Sequence, residues 1–192
     1  MWLPIRVFVG SALIGLAAAA QPGSVLSSPL ARSSEAGPWV LVDTQGRSIS
    51  DRDLKGKPSV LFFGFTHCSE ICPVGLSALT AWMRALGKDA DRLNVVFVTV
   101  DPERDTPAVL ATYLSNFDAR IRGLTGTPAQ VAIAAQRYGV SYEKIPLGGD
   151  DYSIRHSMTI YLTNREGRVV NSIVPQDTNE AALEKLRRIS RG

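Results

Sequence analysis

Two stretches of the chain are almost continuously apolar and β-branched or aromatic, residues 60–65 and 93–100. Runs of that length and composition are what strands buried on both faces of a parallel sheet look like. After the first run, Leu76, Leu79, Trp82, Met83 and Leu86 repeat at helical spacing, which predicts an amphipathic helix over 72–86 with Gly87 as its stop. Thr106-Pro107 and Thr127-Pro128 each set a capping hydroxyl before a proline at the first helical position. They predict helices over 106–117 and 127–138, the latter closed by Gly139, with a short strand at 124–126 between them. Residues 39–43 read as an opening strand that turns at 44–47, and 50–58 as a polar connection. Residues 140–151, with Pro146, Gly148 and Gly149, read as a flexible excursion. The spans 157–162 and 168–174 are two strands joined by the turn 164–167, and 178–189 is a last helix with Leu183, Leu186 and Ile189 on one face.

The order is strand, helix, strand, helix, helix, hairpin, helix. It predicts the α/β class, in the form of a thioredoxin-like sandwich with a central mixed sheet flanked by helices. No internal repeat, heptad pattern or phosphate-cradling glycine loop is present.

With 192 residues, 45 % hydrophobic and 20 % charged, the chain has the length and composition of one globular domain. Its net charge of +3 comes from scattered Lys and Arg, which is no nucleic-acid footprint. The beginning is more specific. Arg6 precedes an uncharged stretch that ends in Leu16-Ala-Ala-Ala-Ala20-Gln21, the charged start, apolar centre and small-residue finish of an export signal. Residues 1–20 are therefore expected to be a signal peptide, with an N-terminal membrane anchor as the alternative. Residues 21–37, rich in Ser, Pro, Gly and Ala, are expected to be a flexible tether, and 38–192 the folded domain. Export would put the protein in the periplasm or on the extracytoplasmic face of the inner membrane, where a dithiol needs oxidation, a metal or a dedicated reductant.

Both cysteines, Cys68 and Cys72, fall where the first buried strand turns into the first helix. A helix N-terminus favours the charged form of a thiol, and the thiolate is both nucleophile and metal ligand. Residues four apart on a helix share a face, with β-carbons roughly 6 Å apart. That suits one metal ion, whereas a disulfide needs about 3.8 Å and hence local unwinding. Three readings stay open: a structural disulfide, a redox pair and a metal site. A metal would need a third ligand, and the imidazoles on offer are His67 and His156. Two thiolates and an imidazole suit copper; a closed zinc site would need a fourth ligand that the sequence does not supply.

His156 stands just before the strand 157–162, and in a thioredoxin-like sheet the loop entering that strand faces the thiols. His67, next to Cys68, is expected to point away from it along extended backbone. Asp101 ends the second buried strand at the same sheet edge, where capping the turn before Pro102 is its expected role. Met83 and Met158 occupy apolar-periodic positions and are expected in the core. Redox thioredoxins resemble one another in a cis-proline at the position before Met158, and here Ser157 stands there, which favours metal binding. A peroxidase would require an arginine over the reactive cysteine, and Arg120, Arg122 and Arg155 are the ones to place.

Three segments carry a resemblance to a known family: Phe62-Phe-Gly-Phe-Thr-His-Cys68-x-x-x-Cys72-Pro73, then Val98-Thr-Val-Asp101-Pro102-Glu-Arg-Asp-Thr-Pro107, and Tyr152-x-x-x-His156-Ser157 followed by Tyr161-Leu162. Together they resemble the Sco/SenC family of copper-binding assembly proteins for cytochrome c oxidase. The resemblance implies copper, as Cu(I) or Cu(II), held by Cys68, Cys72 and His156. It further implies delivery to the binuclear site in the oxidase's copper-bearing subunit, with thiol reductase activity of Cys68 and Cys72 as an accompaniment. A copper donor protein, a thiol reductant and a membrane tether belong to the same implied setting. Two positions depart from the family pattern: Ser69-Glu70 replaces the common Pro-Asp, and Arg155 replaces an acidic residue before the histidine.

Overall fold

In the computed structural model, residues 38–192 are described. The expectations for 1–20 and 21–37 lie outside them. Nine strands are present in this part: β1 (Val40–Asp43), β2 (Ser48–Ser50), β3 (Ser59–Gly64), β4 (Asn94–Thr99), β5 (Ile121–Thr125), β6 (Tyr142–Gly148), β7 (Asp151–His156), β8 (Ile160–Thr163) and β9 (Val169–Ile173). The helices are α1 (Ile71–Leu86), α2 (Pro107–Leu114), α3 (Pro128–Arg137) and α4 (Asn179–Arg191), with a 3-10 turn over Gly87–Arg92.

Seven strands form one sheet in the order β2-β1-β5-β4-β3-β8-β9. The centre is parallel, β3 with β4 and β4 with β5, while β8 joins β3 and β1 joins β5 antiparallel. This is the mixed sheet of the expected sandwich. Alternation along the central strands supplies both faces. Val60, Phe62, Val95 and Phe97 bury one face beneath α1, α2 and α4. Leu61, Phe63, Val96 and Val98 bury the other with Trp39, Val131 and Ala134. Each such fully buried side chain contributes about 1.5–3 kcal/mol. The apolar runs are continuous because neither face of these strands meets water.

The helix starts follow their caps. The Thr106, Thr127 and Thr178 hydroxyls accept from the backbone of Val109, Gln130 and Ala181, and Gln130 closes a capping box. α1 differs, having no side-chain cap at Glu70. Its Cys72 N–H donates instead to the Cys68 sulfur at 3.3 Å.

Several expectations need correction. Residues 140–151 are no flexible excursion: β6 and the first residue of β7 lie there, part of a two-stranded antiparallel hairpin separate from the main sheet. Gly148 and Gly149, at φ of 118° and 59°, make its turn, a conformation that favours glycine. The strand placed at 157–162 begins only at Ile160, and His156 ends β7 instead of lying in a loop. β2 falls at the edge of the polar connection, and β5 starts three residues before the strand expected at 124–126. Met83 is in the core, but Met158 is only half-buried.

Candidate metal centre

The site lies at the C-terminal end of β3. The chain leaves the sheet at Gly64, turns through Thr66, His67 and Cys68, and enters α1 at Ile71, one residue before Cys72. Cys68 is therefore outside the helix, partly exposed, and Cys72 inside it with no exposed surface. Both are free thiols. From the other side, the end of β7 brings in His156, whose Nε2 is 3.4 Å from the Cys72 sulfur. The two sulfurs and an imidazole nitrogen all lie within 4.8 Å of one another. Bonds of about 2.3 Å to sulfur and about 2.0–2.1 Å to nitrogen, the lengths known for zinc, would hold such atoms some 3.5–4 Å apart around one ion. The separations fit.

The imidazole is oriented. His156 Nδ1 donates to the Ser157 carbonyl at 2.8 Å, since a carbonyl can only accept. That leaves the lone pair on Nε2, toward the thiols. Phe65 packs edge-on against the ring with centroids 5.7 Å apart. Burial pushes the Cys72 thiol up, so the metal-free site holds it protonated. A metal ion would have to displace that proton, and uptake should strengthen as pH rises.

Burial pulls the His156 imidazole below its ordinary value, only partly offset by the Ser157 carbonyl. The unfolded chain then takes up this proton first, near pH 6.5, and stability falls as pH drops through that value toward the folded one. Between about pH 7.5 and about pH 5 the metal-free protein should lose more melting temperature than a His156→Gln variant. Equal losses in a thermal scan would contradict this.

His67 is exposed, lies 3.2 Å from the Thr66 hydroxyl through Nδ1, and does not join the thiol group. The turn after Asp101 is closed by its backbone carbonyl, which accepts from the Arg104 and Asp105 amides, whereas the carboxylate expected to cap that turn is bonded elsewhere. It is fully buried and accepts from Tyr152 Oη at 2.7 Å and Arg104 Nε at 2.5 Å. Arg155 extends away from the site and pairs with Glu143 across the hairpin at 3.2 Å. Arg120 is held by Asp91 and Asp118, and Arg122 is exposed. Two residues were missed. Asp105 accepts from Thr66 N and Oγ1, and Phe65 packs on the histidine. Asp105 precedes a helix cap and reads as its flank, so only a regular Asp101-x-x-x-Asp105 spacing hinted at it.

The family model for SCO1/SenC matches residues 27–191. The chain belongs to the SCO1/SenC family. Yeast mitochondrial protein SCO2 is 41 % identical over 155 residues, 79 % of this chain and 51 % of its own length. The chain thus spans about half the length of the curated yeast relatives SCO2 and SCO1. Among solved structures, Bradyrhizobium japonicum ScoI with copper bound shares 44 % identity, with a TM-score of 0.75 over 80 % of this chain and 98 % of that one. Yeast Sco1 with copper bound shares 36 %, with a TM-score of 0.75 over 82 % and 88 % of the two chains. SCO1/SenC membership agrees with the three motif segments, and both of these neighbours carry the thioredoxin-like sandwich.

Proposed function

We propose that this protein binds one copper ion through Cys68 Sγ, Cys72 Sγ and His156 Nε2 and passes it to the binuclear copper site of cytochrome c oxidase. The observation that carries the reading is the convergence of two sulfurs and one pre-oriented imidazole within 4.8 Å. Soft thiolates beside an imidazole match copper, and three ligands leave an open position through which ligand exchange can proceed. Partly exposed Cys68 is the ligand a recipient reaches first; buried Cys72 is the last to let go. An exported domain, 38–192, on a tether from a signal or anchor would place the site on the extracytoplasmic side, where the oxidase subunit, a copper donor and a thiol reductant would meet it.

A copper titration of the protein beside its His156→Ala variant tests the ligand set. The variant should bind at least about tenfold more weakly, because even outer partners of metal ligands are worth that much. Equal affinity would remove His156 from the site.

The same asymmetry of the thiols supports a second reading, reduction of a partner disulfide. The Cys68 thiolate attacks one partner sulfur and the other leaves as a thiolate that takes a proton; Cys72, losing its proton, then attacks Cys68 Sγ. The partner emerges as a dithiol and this chain as the Cys68–Cys72 disulfide, two electrons having passed, with a reductant needed to reset it. If His156→Ala reduces such a partner at the wild-type rate while copper addition changes nothing, this reading prevails.

A further inference from the structure

The hairpin that carries His156 has no strand of the main sheet beside it. Two-stranded hairpins are marginal by themselves, so the placement of β6 and β7 depends on what their side chains grip. Along β7, Tyr152, Ile154 and His156 alternate onto one face. Ile154 enters the core and His156 meets the thiols. Tyr152 grips the loop after β4. Its hydroxyl donates to Asp101 Oδ1 at 2.7 Å, and the Arg104 guanidinium lies 3.8 Å from its ring centroid. Arg104 Nη1 donates to the Tyr152 carbonyl at 2.9 Å while Nε holds Asp101. From β6, Lys144 pairs with Glu103 of the same loop at 2.5 Å.

The other end of that loop grips the thiol corner. Asp105 accepts from Thr66 N at 3.0 Å, Thr66 Oγ1 at 2.5 Å and Thr99 Oγ1 at 2.6 Å. Thr66 is two residues before Cys68. Both carboxylates are fully buried, which is costly unless every oxygen has a donor, and here each does. The close grouping of His67, Asp101 and Asp105 is accounted for in this way; its carboxylate oxygens are already engaged.

We infer that Asp101 and Asp105 are positioning residues that set the distance between His156 and the two thiols, Asp101 through Tyr152 and Asp105 through Thr66. The role rests on the Cys68, Cys72 and His156 copper site proposed above. Neither carboxylate belongs to the Cys68, Cys72 and His156 group. One five-residue loop fixes both halves of the site, so ligands 84 residues apart in sequence keep one geometry.

The test is amide hydrogen exchange on the metal-free full chain, joined to copper binding, for wild type, Tyr152→Phe and Asp105→Asn. Tyr152→Phe keeps the ring and removes one hydroxyl. Amides of residues 151–156 should exchange roughly tenfold faster while those of β3 keep their protection, as expected for loss of a hydrogen bond to a charged group. Copper affinity should fall about tenfold, with weaker histidine nitrogen couplings in the copper(II) spectrum and the sulfur-to-copper absorption retained. Asp105→Asn should instead loosen residues 66–68 and spare the hairpin. Unchanged exchange at 151–156 in Tyr152→Phe, or a uniform rise across the domain, overturns the inference. If the wild type takes up no copper, the metal reading fails, and the exchange comparison still decides whether the loop holds hairpin and corner.

Discussion

Replacing Cys72 by serine should abolish copper uptake under conditions where the wild type saturates. The loss should exceed the roughly 10- to 100-fold that removal of an outer partner costs, because a ligand itself is gone. Serine keeps the shape of the side chain but offers a hard, far less acidic oxygen in place of a soft sulfur. The neighbouring atoms cannot compensate: the Cys72 side chain is buried, with Cys68 Sγ and His156 Nε2 as its grouped ligand atoms. A buried serine hydroxyl that finds no acceptor would also cost about 1–3 kcal/mol, so thermal melts of Cys72→Ser and Cys72→Ala separate packing from ligation. Both variants should lose copper while differing in stability. Competition against a copper(I) chelator measures the first effect, and affinity within tenfold of wild type in either variant would remove Cys72 from the site.

How much of this was legible in the sequence depends on which forces act locally. β3, expected from the apolar run 60–65, is found over Ser59–Gly64, one residue earlier, since a strand buried on both faces needs no partner to be recognised. α2, α3 and α4 begin at their threonine caps for the same local reason. The β6–β7 hairpin was hidden. Pro146, Gly148 and Gly149 are breakers by composition, and β6 buries none of its residues, so no alternation marks it. Its strands are held by pairing with each other and by Tyr152 reaching a loop 51 residues away, which no window of sequence contains.

The site divides in the same manner. Cys68 and Cys72 announced themselves by position at a strand-to-helix turn. His156 could be placed opposite them only by assuming the fold, and the element bearing it proved to be a strand end, which matters because strand alternation sends Arg155 outward to Glu143 and His156 inward. The positive charge of Arg155 is thereby turned away from the thiols, onto Glu143. Asp105 was unreadable because its donors, Thr66 and Thr99, come from two other segments that only the sheet brings together.

Gly64→Ala should damage stability and the site at once. Gly64 ends β3 directly before the thiol corner, and a β-carbon there would lie 2.8 Å from Phe97 and 3.0 Å from the Cys72 sulfur. Neither neighbour can yield easily. Phe97 is fully buried, edge-on to Phe62 at 5.8 Å, and the sulfur sits on the first turn of α1. Overpacking of this kind costs about 1–3 kcal/mol. For a domain of this size that lowers the melting temperature by roughly 3–10 °C. Gly75→Ala is the matched control, because its β-carbon would meet only Phe62, at 2.8 Å, and Phe62 lies away from the ligands. Alanine also gains helix stability of about 0.5–1 kcal/mol over glycine, which offsets part of that clash. Copper affinity should therefore fall in Gly64→Ala, whose extra methyl pushes Cys72 Sγ out of register with Cys68 and His156, and hold in Gly75→Ala. If both variants melt alike and bind copper as the wild type does, the end of β3 has more room than these distances allow, and Cys72 is not held in place by the strand beneath it.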